Sequence, residues 1–194
     1  GWARMLDEDV NGVTIHPGGV DSSYVTDVHG DANGDMILTY TGYSDYNASA
    51  TSQDRYGRTV YGAMTGPTSY IVKLSAADGS EVWKHEVPHP LEYCKAVNDG
   101  SFFCGYTMSS SDDALDFGNG QIMPTATAMT AGIVKFDGNG IAQWAKPTHA
   151  ASFKHLAVSP DGTLMAITGA GARGTMNLLS RIDTSTGEVR APVS

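Results

Sequence analysis

The feature that most constrains this chain is an internal repeat. Tyr70-Ile71-Val72-Lys73-Leu74, a turn at Asp78-Gly79, and Ser80-Glu81-Val82-Trp83-Lys84 spell an apolar strand, a tight turn and a strand ending in Trp. Gly132-Ile133-Val134-Lys135-Phe136, the turn Asp137-Gly138-Asn139-Gly140 and Ile141-Ala142-Gln143-Trp144-Ala145-Lys146 spell the same hairpin again. A third copy runs from Leu178 to Arg190, with Arg190 at the place of the Trp. A second hairpin precedes each of these, with turns at Asn33-Gly34, Asp99-Gly100 and Asp161-Gly162, and its closing glycines Gly42, Gly105 and Gly169 recur at intervals of 63 and 64 residues. Periods of this order mark stacked or radial repeat architectures.

Asn-Gly and Asp-Gly between short alternating strands are hairpin signals, because both turn residues must tolerate φ > 0. Four such strands form a small antiparallel sheet that cannot bury both faces alone, and copies stacked around an axis solve that problem. The sequence therefore predicts an all-β fold, one partial β-propeller domain over residues 1–194. Its four-stranded blades are expected at about 20–84, 91–146 and 153–191, with 1–6 ending a preceding blade. Trp83 and Trp144 are expected to pack between neighbouring blades, as large rings with one polar handle do. The copies differ most between their second and third strands, where long insertions run from Tyr43 to Ser69 and from Tyr106 to Ala131. Arg55-Tyr56-Gly57 and Asp116-Phe117-Gly118 align within them and suggest a turn on the blade edge, the rest reading as loop.

The residues of the second copy carry a resemblance. Phe103-Cys104-Gly105-Tyr106-Thr107, Leu115-Asp116-Phe117-Gly118-Asn119-Gly120, Ile133 to Gly140 and Gln143-Trp144-Ala145-Lys146 resemble the SBBP type of β-propeller repeat found in large bacterial and some algal extracellular proteins. The first copy departs from it with Tyr for Phe, and the third lacks the insertion. The resemblance implies a secreted or surface-displayed propeller with no general catalytic motif. Asp183 to Val189 is also similar to repeats of quinoprotein dehydrogenases, which bind a quinone with Ca²⁺. Uneven repeat lengths and the lack of a vicinal cysteine pair set that reading second, and no cofactor is expected.

Charge narrows the partners. A formal net charge of −9, with only 12 Lys and Arg against 21 Asp and Glu, argues against nucleic acid, whose affinity comes from cations neutralising phosphates. No apolar run is long enough for a helix to span a bilayer. Cys94 and Cys104 flank the turn Asn98-Asp99-Gly100 and are candidates for a disulfide across a hairpin, two buried thiols being the alternative. Asn47-Ala48-Ser49 is a glycosylation sequon in a polar stretch. Together they lean towards an extracellular or cell-surface location. The chain opens at Gly1-Trp2-Ala3 in the middle of the pattern and reads as an excised piece or a mature fragment, its three blades either continued beyond both ends or completed into a ring by further chains.

Four constellations invite chemistry. His85-Glu86-Val87-Pro88-His89 matches the letters of a zinc-protease motif, but that motif works on a helix, and Pro88 and Pro90 exclude one here. Asp31, Asn33 and Asp35 offer oxygen ligands at alternate positions, as Ca²⁺ loops do, although a hairpin turn already explains them. Lys73, Lys135 and Arg181 occupy one repeat position and form either a solvated or ion-paired flank or the lining of a shared channel. Tyr43, Tyr46 and Tyr61, in the first insertion, are candidate contacts for a protein or glycan partner, since Tyr gives amphipathic area at low entropic cost. The expectation is a non-enzymatic extracellular module for structure or adhesion, partnered by proteins or further blades, with a cofactor-binding or glycan-binding propeller as alternatives.

Overall fold

The structure, a computed structural model, describes residues 24–42, 46–53, 59–64, 68–110, 112–148, 150–159, 162–170 and 176–190. Among them the fold is all-β, built of antiparallel sheets of two to four strands with no helix. The first four-stranded sheet joins β1 (Tyr24–Gly30), β2 (Met36–Gly42), β5 (Thr68–Leu74) and β6 (Glu81–Val87) in the order β1-β2-β5-β6. The second joins β7 (Glu92–Ala96), β8 (Phe102–Met108), β11 (Thr130–Phe136) and β12 (Ala142–Pro147) in the equivalent order. The third contains β13 (Ser152–Val158), β14 (Leu164–Ala170) and β15 (Met176–Ile182). Its expected fourth strand is reduced, among the described residues, to one bridge between Ile182 and Val189. The described sheets do not close into a ring.

The insertions hold strands that sequence pattern alone misses. β3 (Tyr46–Gln53) pairs with β4 (Thr59–Met64), and β9 (Leu115–Asp116) pairs with β10 (Ile122–Met123) across the Phe117-Gly118-Asn119-Gly120 turn. The loop expected around Tyr46, Asn47 and Tyr61 is thus a strand pair, with Tyr46 opposite Met64, Asn47 opposite Ala63 and Tyr61 opposite Thr51. β3 is made of small and polar residues with no apolar alternation to announce it, while Thr59-Val60-Tyr61 of β4 suits an extended backbone. Tyr43 and Tyr56 lie outside the described residues.

Register repeats as faithfully as composition. In each sheet the first strand bulges against the second, between Val25 and Asp27, between Glu92 and Lys95, and between Phe153 and His155. A second bulge recurs where β5 meets β6 and β11 meets β12, so that Lys73 lies opposite Trp83 and Lys135 opposite Trp144. Bulges increase local twist, and here they place the Trp rings at the sheets' outer ends.

Alternation divides each of the first two sheets between two cores. Ile37 and Ile71 of the first sheet face Phe102, Cys104, Val134 and Phe136 of the second. The opposite face of the second sheet, with Phe103, Ile133 and Trp144, packs on Phe153, Leu156, Leu164 and Ala166 of the third. Leu38, Tyr40, Val72 and Leu74 are buried on the first sheet's other side. The first strands β1, β7 and β13 lie side by side along one edge of the stack.

Candidate functional site

The seams between sheets concentrate the polar contacts. Trp83 donates its indole N–H to the carbonyl of Gly138, in the β11–β12 turn, at 3.1 Å. Trp144 donates in the same way to Thr184, in the turn after β15, at 3.3 Å. Both acceptors directly follow the turn's Asp, Asp137 or Asp183, so one docking geometry is used twice. Each Trp also lies against a glycine with positive φ, Gly140 at +78° and Gly187 at +75°; a Cβ at either would fall within 3.0 Å of indole carbons. Glycine is therefore required for conformation and for clearance together. His85, beside Trp83 with ring centroids 5.2 Å apart, shares a hydrogen bond of 2.8 Å with the Asn139 carbonyl oxygen.

Beside each Trp sits the repeated cation, and its surroundings change from sheet to sheet. The Lys73 ammonium lies 2.6 Å from Asp31 and 3.3 Å from Asp35. Burial works to raise the Asp31 carboxyl, but the Lys73 hydrogen bond and the backbone N–H groups of Asn33 and Asp35 outweigh it and hold the carboxyl below its usual range. Burial likewise opposes the charge on Lys73, and the two carboxylates more than restore it. The oxygens considered for Ca²⁺ thus have a cation from within the chain: Asp31 accepts Asn33 N–H, Asp35 N–H and the ammonium, and Asp35 also accepts Ala76 N–H.

Lys135 has the same backbone setting and none of this neutralisation. The second hairpin turn puts Val97 and Ser101 where the first has Asp31 and Asp35. The Lys135 ammonium donates to the Thr184 carbonyl at 3.3 Å and stands 5.5 Å from the Phe103 ring centroid. Among the described residues no carboxylate comes within ion-pair distance of it. The nearby Asp99 carboxylate is engaged by the N–H and hydroxyl of Ser101, which with some help from Lys135 hold its pKa down. Lys135 lines a cleft of about 530 Å³ between the second and third sheets, together with Asn98, Asp99, Ser101, Ser159 and Thr184. In the third sheet Arg181 reaches the Thr163 hydroxyl at 3.4 Å, beside a smaller cleft of about 310 Å³.

Other candidates separate. Cys94, inside the bulge of β7 against β8, forms a disulfide with Cys104 of β8, with Cα atoms 4.1 Å apart. His85 lies on β6, whereas His89 meets the Asp112 carboxylate at 3.4 Å, so the two histidines of the zinc-like pattern serve different elements. Among the described residues no group of His, Cys, Asp or Glu is arranged to hold a metal. Among the described residues neither ring nitrogen of His29 finds a partner, and burial lowers its pKa to about 4. The cleft residues Asn98, Ser159 and Thr184 were not singled out from sequence; the signal available was the loss of both acids when the two hairpin turns are aligned. No helix among the described residues is long and apolar enough to cross a membrane. No protein-family model matches the chain, and no curated protein matches it either.

Proposed function

We propose that the three sheets are successive blades of a β-propeller of the SBBP type, and that the chain acts as a non-enzymatic extracellular module for structure or adhesion. The observation that carries this reading is the doubled seam: Trp83 on Gly138 and Trp144 on Thr184, each beside a positive-φ glycine. A seam that recurs at every step is how a radial stack extends one blade at a time. The Cys94–Cys104 disulfide supports the extracellular part, because disulfides persist in oxidising compartments.

The third sheet supports interaction with a further sheet of the same kind. Its far-side residues Ile167 and Leu179 are 36% and 42% exposed, at repeat positions where Thr39 and Ile71 of the first sheet are buried. Light scattering over a range of concentrations tests the reading. The wild-type chain is expected to self-associate, and Ile167→Glu with Leu179→Glu to suppress it. Wild-type chain that stays monomeric throughout would overturn the interaction role.

A further inference from the structure

The geometry points to a binding site for a small carboxylate in the cleft between the second and third sheets, with the Lys135 ammonium as its charged anchor. The inference goes beyond the structural role proposed above and does not depend on it. Its warrant is internal to the molecule. At the equivalent position of the first sheet, an ammonium on the same strand, opposite the same Trp, is neutralised by carboxylates at 2.6 and 3.3 Å. In the second sheet the cation and its Trp remain, opposite each other in the same register, but Val97 and Ser101 replace the acids. One ammonium proton is directed to the Thr184 carbonyl, leaving donor capacity for another acceptor.

The cleft is sized for a small ligand rather than for solvent alone, at about 530 Å³. Asn98 on its wall adds an amide, while the Ser159 hydroxyl beside it is engaged with the Thr163 backbone. Its charge balance selects the class of anion. Asp99 lines the same cleft and offsets part of the Lys135 charge, so the room left is for one more carboxylate at most, as at Lys73 where one ammonium serves two, and a multiply charged phosphate is disfavoured. A carboxylate also reproduces what Asp31 gives Lys73, a charge-assisted hydrogen bond to one ammonium. The carboxylate can come from a free organic acid or from the uronate of an acidic sugar, and the chemistry at Lys135 is common to both.

The test is a titration of the folded chain with acetate, glucuronate and neutral glucose, followed by amide shifts of Asn98, Gly162 and Thr184. A saturable shift with acetate or glucuronate is expected, weakened about tenfold or more in Lys135→Met. Val97→Asp rebuilds the missing internal carboxylate and should weaken binding as well. Unchanged amide shifts along β1 and β2 in both variants show that the fold persists. Equal binding of the two anions indicates a free acid as the source, and tighter binding of glucuronate an acidic sugar. Absence of a saturable shift, or a shift that survives both substitutions, would overturn the proposal.

Discussion

Ile133 of the second sheet and Leu179 of the third occupy one repeat position and one face, yet Ile133 is 1% exposed and Leu179 is 42% exposed. Residues on the same face of the neighbouring strand follow suit: Phe103 is buried, while the equivalent Met165 is only half-buried. The two strands share length, register and apolar character. What differs is that β11 has another sheet against it and β15 has none among the described residues. Burial here is a property of stacking, so the same residue type should be worth very different amounts in the two sheets.

The largest expected effect is at the seam. Trp144 is buried and hydrogen-bonded, so Trp144→Ala should cost about 3–5 kcal/mol in urea unfolding. Trp83 is only half-buried and should cost less. Equal losses would break the link between stacking and burial. Ile133→Ala should cost about 2–5 kcal/mol, and Leu179→Ala under about 1 kcal/mol, because Leu179 keeps much of its contact with water. A Leu179 loss matching that at Ile133 would show that the third sheet is covered in solution.

Acid should act on the covered seam first. His29 lies against Phe102, with ring centroids 6.1 Å apart, and its folded pKa of about 4 is below the ordinary imidazole value of 6.5. As pH falls below 6.5 the unfolded chain takes up this proton before the folded one does. Stability therefore declines between about pH 6.5 and 4, by about 3 kcal/mol in all, and His29 adds no further slope below that. His29→Gln should remove this part of the slope, measured by denaturant melts at pH 7 and pH 5. The disulfide closes a sequence separation of 10 residues, so Cys94→Ser with Cys104→Ser should cost about 2–3 kcal/mol. That loss is confined to the second sheet, and the smaller it is, the more of that sheet's stability comes from the seams.

The repeat, its turns and the Trp positions were legible because each is written locally: a Gly where φ is positive, an Asp that begins a turn, a Trp at a fixed distance beyond it. The inter-sheet packing of Trp83 and Trp144 followed from ring size. The bulges were not legible, since each is one extra residue in the pairing of two strands, and neither strand's own pattern records that pairing. Nor was the strand pair of the first insertion, where the Tyr and Asn47 candidates lie among polar residues without alternation. The isolation of Lys135 was half-written: the acids at 31 and 35 and their absence at 97 and 101 are visible, but that these turns face the cation of the third strand is a tertiary fact.

The central claim is that the sheets stack through two equivalent indole seams. Nuclear Overhauser spectroscopy on the indole N–H protons measures it directly. The account predicts contacts from Trp83 to Gly138 and Gly140 and from Trp144 to Thr184 and Gly187, with both protons slow to exchange. Indoles that exchange at the rate of a free peptide and show no contact beyond their own sheet would contradict it.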